Sequence, residues 1–266
     1  MQSRHAPISN RAAATARLKA PGVHLLALEW RAPFEAMSSV ALWPLLLKGP
    51  RGDGHSVLVF PGLGAPDSST GLLRHFLRCR GYAPQRWEQG FNFGPRAGVL
   101  EACLERVHRL HRESGRKVSL LGWSLGGVYA RELAKLAPDA VRCAISLGTP
   151  FAGHPKATHA WRVFELVSGQ KVEHAHAQRT LWKAPPVPTT SIYSRSDGVV
   201  AWRCSVQEPA GRTENIEVRA SHVGMGANPA VLHAIADRLA QPEGAWQPFH
   251  REGPRRWVYG DALRAG

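Results

Sequence analysis

Two kinds of apolar spacing alternate along this chain. Val57-Leu58-Val59-Phe60, the stretch from Val118 to Leu121, and Val141 to Leu147 are nearly continuous apolar runs, as in strands buried on both faces. Other apolar residues recur at the spacing of one helix face. Leu72, Leu73, Phe76 and Leu77 form one such set, and Val99, Cys103, Val107 and Leu110 a second. Leu125, Val128, Tyr129, Leu133 and Leu136 form a third, and Val231, Leu232, Ile235 and Leu239 lie in a last helix, Pro229 to Leu239. Gly81-Tyr82 ends the first helix and Pro138 closes the third. Thr189 to Tyr193 and Ile216 to Val218 add short strands. Strands alternating with helices predict an α/β fold with a mostly parallel central sheet covered by helices on both faces.

Four segments stand outside this alternation. Residues 1–22 are polar, basic and alanine-rich and read as a flexible basic arm, with no signal peptide evident. Residues 23–50 contain VHLLALEWRAPFEAMSSVALWPLLL, broken by Pro33 and Pro44; its longest uncharged run, Ala36 to Leu47, is 12 residues and contains a proline, short for a membrane span of about 20 residues. This stretch reads as an N-terminal amphipathic helical extension. Packing against the core is expected, and the alternative is a bilayer interface, helped by Arg31 and Lys48. Residues 51–240 hold the core. Within them, 151–188 is long for a connection and carries Trp161, Val163, Phe164, Leu166 and Val167 at helical spacing. It reads as a helical lid insertion, against the plainer alternative of a crossover helix with long loops. Residues 241–266, with Trp246, Phe249, Trp257 and Tyr259, read as a tail wrapping the surface.

Composition alters the picture mainly through charge. A chain of 266 residues, 44% hydrophobic and 20% charged, is ordinary for one large domain. Its 34 Lys and Arg against 20 Asp and Glu are not, and give a net charge of +14 at pH 7. Such a field favours peripheral contact with an anionic membrane or an acidic carrier protein. The basic residues are scattered and no nucleic-acid motif accompanies them, so no nucleic acid is expected; a solvated Arg-rich surface is the plain alternative. Cys79, Cys103, Cys143 and Cys204 are far apart and form no CxxC pair, which favours reduced thiols over disulfides or a zinc site. The expected location is cytoplasmic, with peripheral membrane attachment as the alternative.

The candidate chemistry centres on Gly122-Trp123-Ser124-Leu125-Gly126, a G-x-S-x-G string between a strand and a helix. Glycines flank the serine because the strained turn brings backbone too close for a Cβ. A serine hydroxyl is a weak nucleophile at neutral pH and needs an imidazole, itself oriented by a carboxylate. Asp197 in SRSDGVV and His222 in RASHVGMG follow later strands, in the chain order Ser, Asp, His expected for this kind of site. His154 in GTPFAGHP is the rival base but precedes the acid. Asp139 ends a helix on the far side, and Asp67 is assigned to a helix cap. The backbone N–H groups of Leu63 and Leu125 are the expected oxyanion donors. No residue cluster or phosphate loop suggests a metal or another cofactor.

From about Val57 to Leu239 the chain resembles the α/β-hydrolase superfamily of serine esterases and lipases. VLVFPGLGA is similar to that family's strand and oxyanion loop, with Pro-Gly where His-Gly is usual; GWSLGG is similar to its nucleophile elbow. AISLGTPFAGH resembles the LGTPHxG segment of bacterial lipases, and SRSDGVV and SHVGMG its acid and histidine loops. The resemblance implies the α/β-hydrolase fold and a carboxylic ester hydrolase acting through an acyl-enzyme on Ser124. The expected substrate is a small-molecule or lipid ester held by Trp123, Phe91, Phe93, Phe151, Trp161 and Phe164. Alternatives are an acyltransferase, an acyl-carrier-protein ester hydrolase, and a non-catalytic membrane or protein binding module.

Overall fold

A computed structural model describes residues 18–154, 156–171 and 180–260. Most of the expected basic arm, residues 1–17, lies outside the described residues, as do 172–179 of the lid segment and 261–266 of the tail.

The apolar runs form one parallel sheet of six strands, β1 (Ser56–Phe60), β2 (Ala83–Gln85), β3 (Val118–Trp123), β4 (Val141–Leu147), β5 (Thr189–Tyr193) and β6 (Thr213–Glu217), in the order β2-β1-β3-β4-β5-β6. Each run has both faces buried because neighbouring side chains point to opposite sides. Val57 and Val59 face one hydrophobic layer, and Leu58 and Phe60 face the other. The first layer is completed by α1 (Gly71–Cys79), through Leu73, Phe76 and Leu77, and by α2 (Pro229–Leu239), through Val231, Leu232 and Ile235. The second is completed by α3 (Val99–Ser114) and α4 (Leu125–Leu136). Full burial of each such aliphatic or aromatic side chain contributes roughly 1.5–3 kcal/mol.

Two strands differ from the sequence expectation. The chain forms β2 on three residues, one of them Pro84, at the sheet edge where a missing N–H costs no ladder bond. β6 begins at Thr213 rather than Ile216, because Thr213 and Glu214 pair in register with Thr189 and Thr190 although they are polar. Asp67 is also reassigned. Its carboxylate receives the Trp87 and Glu88 N–H groups at 3.0 and 3.2 Å and caps no helix.

The order of strand addition reverses between β1 and β3, since β2 lies on the far side of β1. Such a switch point opens a crevice at the carboxyl ends of the strands. Phe60 pairs with Gly122, so the loop after β1 and the turn after β3 begin at one level.

The extension folds as short helices, α5 (Val23–Ala27), α6 (Ala32–Ala41) and α7 (Trp43–Leu46), with a 3-10 turn over Leu28–Arg31. Its Ser39 and Leu46 are buried, and Ser39 donates to the Ala227 carbonyl. Among the described residues, no helix is long and apolar enough to cross a membrane. In the tail, Phe249 and Tyr259 are buried in the first layer, with their rings packed edge to face at 4.7 Å.

Candidate active site

Ser124 stands at the apex between β3 and α4 with φ 53° and ψ −122°, a conformation that costs about 1–3 kcal/mol for a residue with a side chain. The turn is tight enough that a Cβ on Gly122 would lie 2.2 Å from the Gly126 carbonyl oxygen, and one on Gly126 would lie 2.3 Å from that of Phe60. Neighbouring backbone holds the apex from below. The Ser124 N–H donates to Leu147 O at 2.8 Å, and the buried Thr149 hydroxyl donates to Ser124 O at 2.9 Å.

Asp197 and His222 sit on the loops after β5 and β6. His222 Nε2 is 2.9 Å from Ser124 Oγ, and His222 Nδ1 is 2.7 Å from Asp197 Oδ2. With Nδ1–H donated to the carboxylate, Nε2 is left to accept the serine proton. Asp197 is itself fixed, since Oδ1 accepts the Val199 and Val200 N–H groups at 2.9 and 2.7 Å. Gly148, at φ 53°, leaves the pair its space, because a Cβ there would stand 3.1 Å from both Asp197 Oδ2 and His222 Nδ1. Burial pushes the His222 imidazole towards the neutral form. The Asp197 charge, its hydrogen bond and the Glu29 charge outweigh that and hold the ring above the ordinary histidine value of 6.5.

Leu125 is the first residue of α4, so its N–H belongs to the helix turn that has no internal acceptor, at the positive end of the dipole. The loop carrying Leu63 adjoins the serine, since a Cβ on Gly62 would lie 3.5 Å from Ser124 Cβ. Asn92, fully buried, holds that loop. Its side-chain amide donates to Pro61 O at 2.7 Å, its carbonyl accepts from Gly64 at 2.7 Å, and its N–H donates to Ala65 O at 3.1 Å.

A backbone thread of six parallel strands, with a switch point over the serine and the three side chains on its carboxyl-end loops, can be set beside known proteins. No family model matches the sequence, and no curated protein matches it. Among solved structures it is similar to Aspergillus fumigatus lipase B, with a TM-score of 0.55 and 18% identity over 72% of this chain and 54% of that one. It is also similar to a monoacylglycerol lipase of Paleococcus ferrophilus, at TM-score 0.52 and 17% identity over 72% of this chain and 96% of that one. A pyrethroid hydrolase of Sphingobium faniae JZ-2 gives TM-score 0.52 and 18% identity over 71% and 98% of the two chains. This protein has the α/β-hydrolase fold. It spans about half, 54%, of the length of the lipase B.

On this α/β-hydrolase scaffold the expected substrate-facing aromatics take different positions. Phe91 is half-exposed and stacks on Phe93 at 5.7 Å. Phe164, from the helix α8 (Trp161–Ser168), packs on the same loop, where a Cβ on Gly94 would lie 2.9 Å from its ring. Trp161 is half-buried between Lys156 and Arg162. Trp123 donates its indole N–H to the His222 carbonyl at 3.0 Å, so one edge of the ring supports the histidine loop. Phe151 differs from these in its burial. It is fully buried under the Arg131 guanidinium, 3.8 Å from the ring centre. Val163 and Leu166 turn outward, at 51% and 84% exposure, instead of sharing the inward face of Phe164. His154 receives the Lys156 N–H on Nδ1, and Asp139 is exposed in the turn before β4. Among the described residues, no three His, Cys, Asp or Glu side chains are grouped to hold a metal ion.

Sequence reasoning missed the extension's part in this site. Glu29 Oε1 accepts the Gly198 and His222 N–H groups at 2.7 and 2.9 Å, and its Oε2 accepts that of Val223 at 2.9 Å. Glu35 accepts the Ser221 N–H at 2.7 Å, and Arg31 donates to the Ser196 carbonyl and hydroxyl, both at 2.8 Å. The only signal in the sequence was two carboxylates within an otherwise apolar stretch.

Proposed function

We propose that the protein is a carboxylic ester hydrolase of esterase or lipase type, working through an acyl-enzyme on Ser124. The observation that carries this reading is the hydrogen-bonded chain from Ser124 Oγ through His222 to Asp197, with spacings of 2.9 and 2.7 Å, on a strained strand-to-helix turn. His222 takes the Ser124 proton as Oγ attacks the ester carbonyl, and the oxyanion is held by the Leu63 and Leu125 N–H groups. His222 then protonates the leaving alcohol. It next activates a water that attacks the acyl-enzyme, releasing the acid and restoring the serine. Asp197 keeps Nδ1 protonated, and Glu29 is a positioning residue for both loops.

Residues 51–240 form the catalytic unit in this reading, with 151–188 as its lid. Phe91, Phe93, Trp123, Trp161 and Phe164 provide an apolar wall, which favours an ester with a lipophilic acyl chain. The net charge of +14 favours delivery of that ester from an anionic surface, a membrane or an acidic carrier protein. The same residues serve an acyltransferase if an alcohol or amine replaces water.

The test is hydrolysis of p-nitrophenyl esters from acetyl to palmitoyl by the wild type and by Ser124→Ala. Turnover is expected to peak at one chain length and to fall by about 10⁶-fold in the variant. Turnover that survives Ser124→Ala would sink the assignment. Labelling of Ser124 by a fluorophosphonate without ester turnover would redirect it to acyl transfer or a carrier-bound ester.

A further inference from the structure

The segment that holds the Asp197 and His222 loops has a second, opposite face. Glu29, Glu35, Ser39 and Leu46 point to the catalytic domain. Val23, Trp30, Phe34, Met37, Val40 and Leu45 point away from it and are 55–77% exposed. Large apolar side chains gathered on one face of a short helical segment cost free energy in water unless a partner covers them.

What covers them is constrained by charge and composition. Residues 1–17 offer Met1 and Ile8 as their only large apolar side chains, together with Arg4, Arg11 and Arg17. A second copy would bring the same +14 charge against this one, whereas an anionic surface is attracted by it. Exposed Lys19 and Lys48 bracket the stretch, and Trp30 and Phe34, packed edge to face at 5.3 Å, are the ring types that settle at a membrane–water boundary.

We propose that residues 23–47 lie in the interface of an anionic lipid bilayer, with Trp30, Phe34, Met37, Val40 and Leu45 among the acyl chains and the lysines at the headgroups. The geometry ties this to the site. The acid-loop residue Gly198 lies directly under the extension, where a Cβ would be 2.3 Å from Leu25 O. Val223, next to His222 and bound to Glu29, is itself 53% exposed. Docking therefore sets the histidine loop at the lipid boundary, where a lipid ester can enter without crossing water. This catalytic consequence rests on the ester-hydrolase reading; the docking does not.

The experiment is co-sedimentation of the full chain with phosphatidylcholine vesicles, with and without phosphatidylglycerol. The wild type, Ser124→Ala and the triple variant Trp30→Ser, Met37→Ser, Leu45→Ser are compared, and sedimentation velocity is run without lipid. The wild type and Ser124→Ala are expected to bind the mixed vesicles equally and more tightly than phosphatidylcholine alone. The triple variant should lose about tenfold or more in partitioning while keeping the wild-type melting temperature. A wild type that stays in the supernatant, or a triple variant that binds as well, overturns the proposal. So does a lipid-free dimer that the triple variant abolishes, which would make a second copy the occupant. Failure of the hydrolase reading would show instead as turnover independent of Ser124, with vesicle binding intact.

Discussion

Glu29 accepts the backbone N–H of His222 at 2.9 Å across 193 residues of sequence. The same carboxylate oxygen takes the Gly198 N–H, so one side chain from the extension joins the Asp197 loop to the His222 loop. The extension is thereby part of the site's scaffold.

A pH profile separates charge from packing at Glu29. Below its pKa, His222 is protonated and cannot accept the Ser124 proton, so kcat/KM falls on the acid side. The Glu29 charge is one of the influences that raise this pKa. In Glu29→Gln the acid limb should move to lower pH, and in Glu29→Ala kcat should also drop by up to about 10²-fold as both loops loosen. An acid limb that stays in place in Glu29→Gln would leave the residue a packing role only.

Asn92 holds the loop that carries Leu63 through a buried side-chain donor and two main-chain bonds. Removing the side chain strands the Pro61 carbonyl, at a cost of about 1–3 kcal/mol. If the Leu63 N–H serves the transition state as proposed, Asn92→Ala lowers kcat on a short soluble ester by about 10–100-fold with little change in KM. Steady-state kinetics on p-nitrophenyl acetate read the split directly.

Gly148 occupies a left-handed conformation beside the Asp197–His222 pair. Gly148→Ala should lose about 1–2 kcal/mol in urea unfolding from the backbone alone. Its activity should fall by more than that loss implies, because the new methyl sits 3.1 Å from both hydrogen-bonding atoms. A folded, fully active variant would mean that the pair has slack.

Arg131 is fully buried, and burial lowers its pKa to about 10. It donates to Gln207 Oε1 at 2.9 Å and to the Leu181 and Lys183 carbonyls at 3.5 and 3.2 Å, and covers Phe151. Arg131→Met keeps the aliphatic stem but strands these acceptors. We expect a loss of about 2–4 kcal/mol by thermal or urea denaturation.

Legibility followed the range of the forces involved. The strand limits Val141–Leu147 and Thr189–Tyr193, and the helix Pro229–Leu239, could be read because local apolar spacing and turn residues decide them. β2 escaped notice because three residues with a proline carry no periodicity and are held as a strand by Ser56–Leu58. Among the site residues, Ser124, Asp197 and His222 each had a loop or turn signature, and they meet at hydrogen-bonding distance. Glu29, Glu35 and Asn92 had none, since each acts on backbone that is distant in sequence. The cation over the Phe151 ring could not be foreseen from its sequence neighbours either.

The two rims of the sheet have a consequence for how this molecule meets others. At one rim β2 presents Pro84, and at the other the tail folds back so that Gly260 N–H donates to Glu217 O at 3.1 Å. A proline on one rim and a returning chain on the other are features that disfavour templating of a neighbour's strand. Such protection matters for a protein that carries bare tryptophan and methionine on its outside. Both features disfavour self-association through the sheet, leaving exposed side chains, which detergent or lipid can saturate reversibly, as the stickier surface.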